Sequence, residues 1–376
     1  MRRLLRRMRR LLRPLRRFAL AARPAARWPG IIAARPPSGA PSLFYGHERI
    51  PLLGEPVHGG MVKFQALNER FPNRPRAFNL VYLGSSALPS DATMIMLVAG
   101  MRGIPLLWNQ NGVAYPAWAG PRWERRNERI GRGLAAAAHV VYQSAFCKLS
   151  ADKFVREPAG SWEIVHNPVD TRRFTPAERR PAELTLLLGG NQYQDYRFEI
   201  AVRTLALVLR ERPARLIVTG RLSWSAADDP QRAPREAAAL IEQLGVGDHV
   251  EIIGTYSQLE APDIMRRGSL LLHTKVMDPC PTIVLEALAS GLPVVYSESG
   301  GVPELVGADA GIPVPTALDW DVDVPPPPEA FAAAVLALAE DLEPRAEAAR
   351  ERAVSQFDLQ QWLARHAVLF DLFHRP

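Results

Sequence analysis

Short apolar runs alternate with segments of helical periodicity in the part of the chain that follows residue 40. The apolar runs are SLFYGHE, FNLVYLGSS, IPLLWNQNG and HVVYQS, and stretches such as GMVKFQALNERF and ATMIMLVAGMRG lie between them. Near-continuous apolar strands separated by helices are typical of a parallel sheet that is buried on both faces. The pattern therefore predicts a first α/β domain whose ligand lies at the carboxyl ends of its strands.

The same alternation resumes after a segment that is rich in proline and charge. This segment, VHNPVDTRRFTPAERRPAEL, contains three prolines and predicts a crossing between two domains. It is followed by the strand candidates LTLLLGG, ARLIVTG, HVEIIGT, LLLHTK and LPVVYS, the proline-led helix start VPPPPEAF and the terminal amphipathic helix FDLQQWLARHAVLFDLF. The predicted architecture is α/β, with two Rossmann-like domains that face each other across a cleft.

Length and composition agree with two globular domains. The chain has 376 residues, of which 47% are hydrophobic and 23% are charged, enough to build two cores. We predict a basic tail at 1–35, an N-terminal domain at 36–176, a C-terminal domain at 177–345 and a helical segment at 346–376 that packs back toward the first domain. No run of 18 uncharged apolar residues is present, so no transmembrane helix is expected. The two cysteines are far apart in sequence, which suits a reducing compartment.

Positive charge is concentrated in the N-terminal tail. Residues 1–35 contain twelve arginines and no acid, so the net charge of +7 for the whole chain leaves about −5 for the rest. Within residues 1–20, apolar side chains recur at helical spacing and arginines fill the other face. Such a helix can lie in the interface of an anionic membrane. We therefore predict a cytoplasmic protein that contacts the inner face of the membrane through this tail.

A solvated disordered tail and a wrongly assigned start codon are the alternatives to membrane contact. A secretory signal fits poorly, because no continuous apolar region follows the arginines. Nucleic acid is not favoured as a partner, because aromatic residues are not interleaved with the arginines as they are in a single-strand binding platform.

The stretch DPCPTIVLEALASGLPVVYSESGGVPELVG, residues 278–307, contains a predicted helix that starts directly after a strand. The strand LLLHTK precedes it, and Gly291 ends the helical pattern TIVLEALAS. The backbone N–H groups of Thr282 and Ile283 would then lie at a helix N-terminus, where no intrahelical partner is available to them. Such an N-terminus predicts an anion site.

Two acids and a glycine pair surround this anion site. Glu286 follows one turn into the helix, and Asp278 lies on the loop that precedes it. The pair Gly300-Gly301 would allow the next loop to pass close to a ligand. A carboxylate accepts two hydrogen bonds at once and so binds vicinal hydroxyl groups well. The pattern favours a diphosphate that is flanked by two hydroxyl-rich groups.

This stretch resembles the signature of the retaining family 4 glycosyltransferases, which have the GT-B fold: an E-x7-E motif followed by EA-A-GLPVV and GG-PE. The positions that carry the resemblance are Asp278, Glu286, Ala287, Ala289, Gly291, Leu292, Pro293, Val294, Val295, Gly300, Gly301, Pro303 and Glu304. The resemblance implies that the second domain holds a nucleotide-sugar donor, with the ribose hydroxyls on Glu286 and the transferred sugar on Asp278. The diphosphate would be held by the amides near Pro281, Thr282 and Ile283.

The start of the motif departs from the family pattern. The first acid is Asp278 rather than Glu, and Pro279-Cys280-Pro281 replaces the usual Gly-Phe-Gly. Because prolines suit a rigid loop and a helix start, we expect donor binding to persist with an altered sugar preference.

Members of the family usually carry an Arg and a Lys after the first strand of the donor domain, where both contact the diphosphate. In LLLGGNQYQDYRFE, Asn191 stands where the Arg is expected. Arg197 would take the place of the Lys and neutralise the diphosphate leaving group; the alternative is a surface arginine paired with a neighbouring acid. The donor-binding candidates of this region are Gly189, Gly190, Arg197 and Arg221.

The first domain supplies candidates for the other side of the cleft. Gly59-Gly60 opens a helix and resembles the glycine loop at which donor phosphate and acceptor meet in the family, and His58 beside it is a cleft candidate or a surface histidine. Asn111 and Gly112 end the strand after which family members place a histidine. The missing histidine agrees with a retaining mechanism, in which the leaving phosphate itself takes the acceptor proton. Three aromatic residues are candidates for stacking on a sugar or for core packing: Trp108, Tyr115 and Trp118.

The resemblance implies a retaining glycosyltransferase that moves a sugar from a nucleotide-sugar donor to a glycan or lipid-linked acceptor in surface polysaccharide or lipopolysaccharide assembly. The eight histidines are scattered, and we expect neither a metal ion nor another cofactor. One alternative is a GT-B nucleotide-sugar epimerase or hydrolase, which would turn over donor without an acceptor. The other is an inactive nucleotide- or glycan-binding protein, which would bind donor without forming product.

Overall fold

The computed structural model describes residues 28–32, 37–55, 57, 59–224 and 229–375. The membrane-binding helix predicted for residues 1–20 and the cleft candidate His58 lie outside these ranges. In the described part of the chain, no helix is both long enough and apolar enough to cross a membrane.

The first domain is built on a parallel sheet of five strands that lie in chain order. The strands are β1 (Leu43–Phe44), β2 (Leu80–Gly84), β3 (Leu106–Gln110), β4 (His139–Tyr142) and β5 (Ser161–Ile164). The helices are α1 (residues 28–32), α2 (Gly59–Arg70), α3 (Ala92–Met101), α4 (Pro116–Ala119), α5 (Trp123–Ala136) and α6 (Ala145–Phe154), with short 3-10 turns at Ser85–Ala87 and Gly120–Arg122. Every residue of β2, β3 and β4 is buried, as the continuous apolar runs predict. The sequence analysis missed β5, because SWEI is an edge strand whose residues are mostly exposed.

The second domain is built on a parallel sheet of six strands, in the order β11-β10-β9-β6-β7-β8. The strands are β6 (Leu184–Leu188), β7 (Ala214–Thr219), β8 (Val250–Gly254), β9 (Leu270–His273), β10 (Val294–Ser297) and β11 (Gly311–Val314). The helices are α7 (Asp195–Val208), α8 (Arg232–Leu244), α9 (Ala261–Met265), α10 (Thr282–Ala289), α11 (Val302–Val306), α12 (Pro328–Glu340), α13 (Leu342–Gln356) and α14 (Leu359–Phe373), with a 3-10 turn at Gly247–His249. The proline-led start of α12 is confirmed, whereas β11 was not predicted because GIPV is short and contains a proline.

Strand residues alternate between two core clusters, one on each face of the second sheet. Leu186, Leu188, Leu270 and Leu272 face the cluster that includes residues of α7, α8 and α12, while Leu187 and Leu271 face α9, α10 and α11. A period of two residues places alternate side chains on opposite faces. Because both faces are covered by helices, access to the strands is left at their ends.

The C-terminal helix α14 packs back onto the first domain, as predicted. Trp362, Leu363, Leu369 and Phe370 of α14 belong to the same buried cluster as Met61, Phe64 and Leu67 of α2 and residues of β1 to β4. The ring of Phe370 contacts Tyr82 of β2 edge to face, with 5.5 Å between ring centroids. The last helix of the chain therefore completes the core of the first domain.

The order of strands in the second sheet creates a topological switch point between β6 and β9. From β6 the chain proceeds to β7 and β8 on one side, and from β9 it proceeds to β10 and β11 on the other. The loops after β6 and β9 consequently leave the sheet in opposite directions and open a crevice between them, which is where open α/β sheets bind ligands. The segment 278–286 follows β9, and the pair Gly189-Gly190 follows β6.

Four hydrogen bonds hold the loop before α10 and the side chain of Glu304 against the first domain. Ser144 Oγ donates a hydrogen bond to the Pro279 carbonyl (2.7 Å), and Asn167 Nδ2 donates to the Cys280 carbonyl (3.0 Å). Glu304 accepts hydrogen bonds from the backbone N–H groups of Ala145 and Phe146 at the start of α6. These contacts place the switch point of the second sheet opposite the first domain.

Candidate functional site

A cavity of about 430 Å³ lies between the domains at this switch point. Gly59 and Lys63 of α2 line it from the first domain, and Thr282, Ile283 and Glu286 of α10 line it from the second. Its size suits a small-molecule ligand. The cavity therefore brings together, from both domains, residues that the sequence analysis had assigned separately.

The end of the cavity at which the sequence predicts an anion site is formed by the N-terminus of α10. Pro281 is extended (φ −72°, ψ 121°) and directly precedes the first helical residue, Thr282. A Cβ atom at Gly189 would lie 2.4 Å from Cγ1 of Ile283, so only glycine permits this approach of the β6 loop to α10. Gly190 beside it has φ +81° and also lines the cavity. The predicted amides and the glycine turn thus meet at one place.

Glu286 lies one turn into α10 and lines the same cavity. Burial raises the pKa of Glu286 to about 7, and the guanidinium of Arg173 opposes the shift. Arg173 is itself tied to the adjoining loop, because its Nη2 donates to the Gln258 carbonyl (2.9 Å). Near neutral pH this carboxyl therefore loses its proton easily and can then accept hydrogen bonds from hydroxyl groups.

Asp278 lies on the loop before α10 and is paired within its own domain. Its Oδ2 is 3.1 Å from Lys275 Nζ and 3.5 Å from His273 Nε2. Burial raises the pKa of Asp278, but the Lys275 ammonium and the His273 imidazole outweigh burial and hold the pKa well below its usual range. The side chain is ionised at neutral pH as a result. Asp278 is not one of the residues that line the 430 Å³ cavity.

The loop that carries Asp278 is strained and closely packed. Met277 has φ 50°, in the left-handed region that a residue with a side chain rarely adopts, and its N–H donates to Ser299 Oγ (2.9 Å). A Cβ atom at Gly300 would lie 2.5 Å from the Asp278 carbonyl oxygen, and one at Gly301 would lie 2.0 Å from that of Pro279. The glycine pair therefore admits the acid-bearing loop, which corrects the expectation that it makes room for a ligand directly. Strain of this kind is frequent at functional sites.

A family model covers this part of the chain. Residues 183–341 match Glycosyl transferases group 1. We call residues 183–341 the group 1 domain only after the model that they match; they contain both loops of the switch point and the whole segment from Asp278 to Glu304.

Two curated relatives match this chain over less than half of their own length. A D-inositol 3-phosphate glycosyltransferase of Streptomyces bingchenggensis is 30% identical over 184 residues, which cover 44% of this chain and 40% of that protein. The gpi3 subunit of phosphatidylinositol N-acetylglucosaminyltransferase of Schizosaccharomyces pombe is 23% identical over 146 residues, which cover 38% of this chain and 30% of that protein. This chain thus spans less than half the length of the curated relatives it matches.

Solved structures resemble both domains together. Sucrose-phosphate synthase from Thermosynechococcus elongatus superposes with a TM-score of 0.62 at 18% identity and covers 82% of this chain and 75% of that chain. Anabaena HepE in complex with UDP superposes with a TM-score of 0.62 at 17% identity, with 78% of each chain covered. Identity this low shows the fold alone: two parallel-sheet α/β domains, as in GT-B glycosyltransferases, which is the predicted architecture.

The two arginines that the sequence assigns to the diphosphate do not line the cavity between the domains. Arg197 is buried, and its guanidinium donates to the carbonyl oxygens of Asn191 (2.8 Å) and Gly189 (3.2 Å). Arg221 is exposed, and its backbone N–H donates to Asn191 Oδ1 (2.8 Å). Arg197 is thus neither a cation that faces the phosphates nor a surface arginine, the two roles that the sequence predicts. Its guanidinium instead stabilises the Gly189-Gly190 turn through these carbonyl oxygens.

The residues that the sequence predicts on the first-domain side of the cleft do not all line the cavity. Gly59 lines the cavity, whereas a Cβ atom at Gly60 would lie 2.7 Å from the Ser86 carbonyl oxygen, so Gly60 serves the packing of α2. The buried Asn111 Oδ1 has no hydrogen-bond partner among the described residues. A Cβ atom at Gly112 would lie 3.0 Å from Cγ of Pro279, which makes Gly112 the point where the domains approach each other.

The aromatic candidates divide by burial. Trp108 is completely buried, and its Nε1 donates to Gln110 Oε1 (2.7 Å). Tyr115 is buried against Trp320, with 5.1 Å between the ring centroids. Trp118 is exposed, which leaves it as the candidate for stacking on a sugar.

Sequence reasoning missed Lys63, which is buried and lines the cavity opposite the group 1 domain. In the sequence it reads as an ordinary helix lysine between two apolar residues. A usable signal was its spacing from Gly59, because residues four apart lie on the same face of a helix. Among the described residues, no group of three His, Cys, Asp or Glu side chains is placed to hold a metal ion.

Proposed function

We propose that the protein is a retaining glycosyltransferase that binds a nucleotide-sugar donor in the cavity between its two domains. The observation that carries the proposal is the joint position of a helix N-terminus and Glu286, one turn apart on the wall of one interdomain cavity at the switch point. The UDP that is part of the HepE complex supports a uridine nucleotide as the first donor to test. The glycosyltransferase names of both curated relatives support sugar transfer as the reaction.

The residues of the group 1 domain divide the donor between them in this proposal. The amides of Thr282 and Ile283 hold the diphosphate, since the start of a helix is a favourable site for negative charge. Glu286 accepts hydrogen bonds from the ribose hydroxyls. Asp278, which its neighbours keep ionised, does not line the cavity; its assignment to the transferred sugar rests on the resemblance of the motif alone.

Catalysis in this proposal rests on positioning and charge stabilisation. The bond between the anomeric carbon and the phosphate oxygen breaks, the acceptor oxygen bonds to the same face of that carbon, and the acceptor proton passes to the departing phosphate. No protein base is needed for this transfer, which agrees with Gln110, Asn111 and Gly112 at the end of β3. We also propose that the reaction requires neither a bound metal ion nor another cofactor.

A titration followed by an assay of product tests the function. Purified protein is titrated in EDTA with UDP, GDP and ADP and with their sugar conjugates, and the donor that binds is then incubated with and without glycan or lipid-linked acceptors. Transfer to an acceptor with retained configuration supports the proposal. Donor turnover without acceptor would identify an epimerase or hydrolase instead, and binding without product under every acceptor would identify a binding protein.

Donor affinity is expected to fall as the pH is lowered. Burial raises the pKa of Glu286 to about 7, so the carboxyl is mostly protonated below pH 7, and only the ionised form accepts two hydrogen bonds from a ribose. The affinity of the wild type for UDP-glucose, divided by that of Glu286→Gln at each pH, should fall about tenfold between about pH 8 and pH 6. The ratio is needed because Lys63, whose pKa burial lowers to about 8, gains charge over the same range in both proteins. Glu286→Gln removes this part of the pH dependence while other groups titrate in both proteins. Parallel pH profiles of the two proteins would contradict the assigned role.

The acceptor is proposed to be a glycan or a lipid-linked sugar at the inner face of the membrane, as in surface polysaccharide or lipopolysaccharide assembly. The arginine-rich residues 1–35 support membrane contact, because their positive charge attracts anionic lipids. Deleting them is expected to abolish sedimentation with anionic liposomes and to leave donor affinity unchanged. Equal sedimentation of the full and the shortened chain would exclude the tail as the anchor.

A further inference from the structure

Lys63 is a buried cation without a buried counter-charge. Its side chain is 5% exposed, and its Nζ donates one hydrogen bond, to Asn109 Oδ1 (2.8 Å). No carboxylate of the described residues lies within ion-pair distance of this ammonium group. Asn109 Oδ1 is shared between two donors, because Gln143 Nε2 also donates a hydrogen bond to it (2.6 Å). Two of the three N–H groups of Lys63 are thus left for other acceptors, and buried charges in proteins are normally paired.

The position of Lys63 matches the anion-binding end of the cavity. It lines the cavity one helical turn after Gly59. It is also close enough to Cys280 to oppose the rise that burial causes in the pKa of that thiol. Cys280 precedes Thr282, the first residue of α10, by two positions. Lys63 therefore lines the same cavity as the start of α10, whereas Arg173 acts on Glu286 one turn further along.

A chain of side-chain amides fixes Lys63 relative to the group 1 domain. Asn109 accepts from both Lys63 and Gln143, Gln143 Oε1 accepts from Asn167 Nδ2 (2.8 Å), and the same Nδ2 donates to the Cys280 carbonyl (3.0 Å). The chain begins at the first-domain helix α2 and ends on the loop that leads into α10. Every link joins a donor to an acceptor, so the network holds the ammonium group in place without neutralising it.

The group 1 domain does not supply a competing cation to this end of the cavity. Of the lysines and arginines in the described part of the chain, only Lys63 and Arg173 line it. Arg197 is committed to the carbonyl oxygens behind the glycine turn.

We propose that Lys63 is the cation that the first domain supplies to the donor diphosphate, an inference that rests on the proposed function. As the bond from the anomeric carbon to the phosphate breaks, negative charge grows on the phosphate oxygens and the free N–H groups of Lys63 donate to them. Lys63 keeps its own proton throughout, and the acceptor proton passes to the phosphate. Because this charge comes from the opposite domain, the diphosphate is neutralised only when the two domains are together.

Calorimetric titration of Lys63→Met and Lys63→Arg with UDP and with uridine tests the proposal. We expect Lys63→Met to bind UDP at least about tenfold more weakly than the wild type and to bind uridine equally well, because the lost hydrogen bonds are charge-assisted and reach the phosphates alone. Lys63→Arg should keep most of the affinity for UDP. Lys153→Met, which removes the same charge from an exposed position of the first domain, should bind both ligands as the wild type does.

Thermal unfolding separates this role from a structural one. Removing an uncompensated buried charge is expected to leave the melting temperature of Lys63→Met equal to or above that of the wild type. Lys63→Gln, which can still donate to Asn109, provides a second neutral variant. The inference is wrong if neither neutral variant loses affinity for UDP, or if both lose affinity for uridine by the same factor. A wild-type protein that binds none of the nucleoside diphosphates would instead overturn the proposed function itself.

Discussion

Replacing Phe370 by alanine is expected to destabilise the protein by about 3 to 5 kcal/mol. The ring is completely buried and belongs to the cluster that α14 forms with α2 and the first sheet. It contacts Tyr82 and Phe71 edge to face, with centroid distances of 5.5 and 5.0 Å. The substitution therefore removes apolar contacts and leaves a cavity in the core of the first domain, at a residue that does not line the proposed site. Urea unfolding followed by circular dichroism measures the loss.

Leu372→Ala is the matched control on the same helix. Leu372 is 70% exposed, and surface substitutions of this kind change stability by no more than about 0.5 kcal/mol. The comparison isolates burial against the first domain, since both variants shorten a large apolar side chain of α14. Equal unfolding midpoints for the two variants would show that α14 is not part of this core.

Glu286→Ala is expected to weaken donor binding by about 1.5 to 3 kcal/mol, or about 10- to 150-fold in Kd. The carboxylate is the proposed partner of the ribose hydroxyls, and hydrogen bonds to a charged group are stronger than those between neutral groups. The site already bears the cost of holding this carboxyl, whose pKa is raised to about 7 by burial. The variant is thus expected to be no less stable than the wild type while it binds donor less well. Titration with UDP and UDP-glucose measures the change.

Glu242→Ala is the control for this variant. Glu242 is an exposed residue of α8 in the same group 1 domain and does not line the cavity. The Glu242→Ala variant should therefore bind UDP with the affinity of the wild type. Unchanged affinity of Glu286→Ala for UDP would contradict the proposed function. If Glu286→Ala binds UDP more weakly but keeps its affinity for free phosphate, the helix N-terminus remains an anion site.

Charge at the two ends of the cavity has opposite sign and different origin. At the end proposed for the ribose, burial raises the pKa of the Glu286 carboxyl to about 7. At the end proposed for the phosphates, Lys63 carries a positive charge on the wall that the first domain supplies, and burial lowers the pKa of Lys63 to about 8. Both groups are held in a cavity where water screens them weakly, so each acts more strongly on a ligand than it would at the surface. The predicted losses for Glu286→Ala and Lys63→Met should therefore be separable by ligand, because one reports on the ribose and the other on the phosphates.

The sequence by itself determined the main elements and the local geometry of α10. Runs such as LTLLLGG and LLLHTK became buried strands because a strand covered on both faces must be apolar at every position. Glu286 lies one turn from Thr282 because both belong to one helix, whose spacing is fixed at 3.6 residues per turn. Gly291 adopts φ +68° just after the end of α10, as its place after the helical pattern predicts. These features depend on neighbours in the chain.

Only the tertiary structure decided which charged groups reach the cavity. Arg197 follows the glycine turn as a phosphate ligand would, yet its guanidinium folds back onto the carbonyl oxygens of Gly189 and Asn191. Lys63 reads as an ordinary helix lysine, yet it is buried in the wall of the cavity that the start of α10 also lines. The strain at Met277 is equally invisible in the sequence. A local pattern states which face of its own element a side chain occupies, but the partner of that face is set by packing between segments that are distant in the chain.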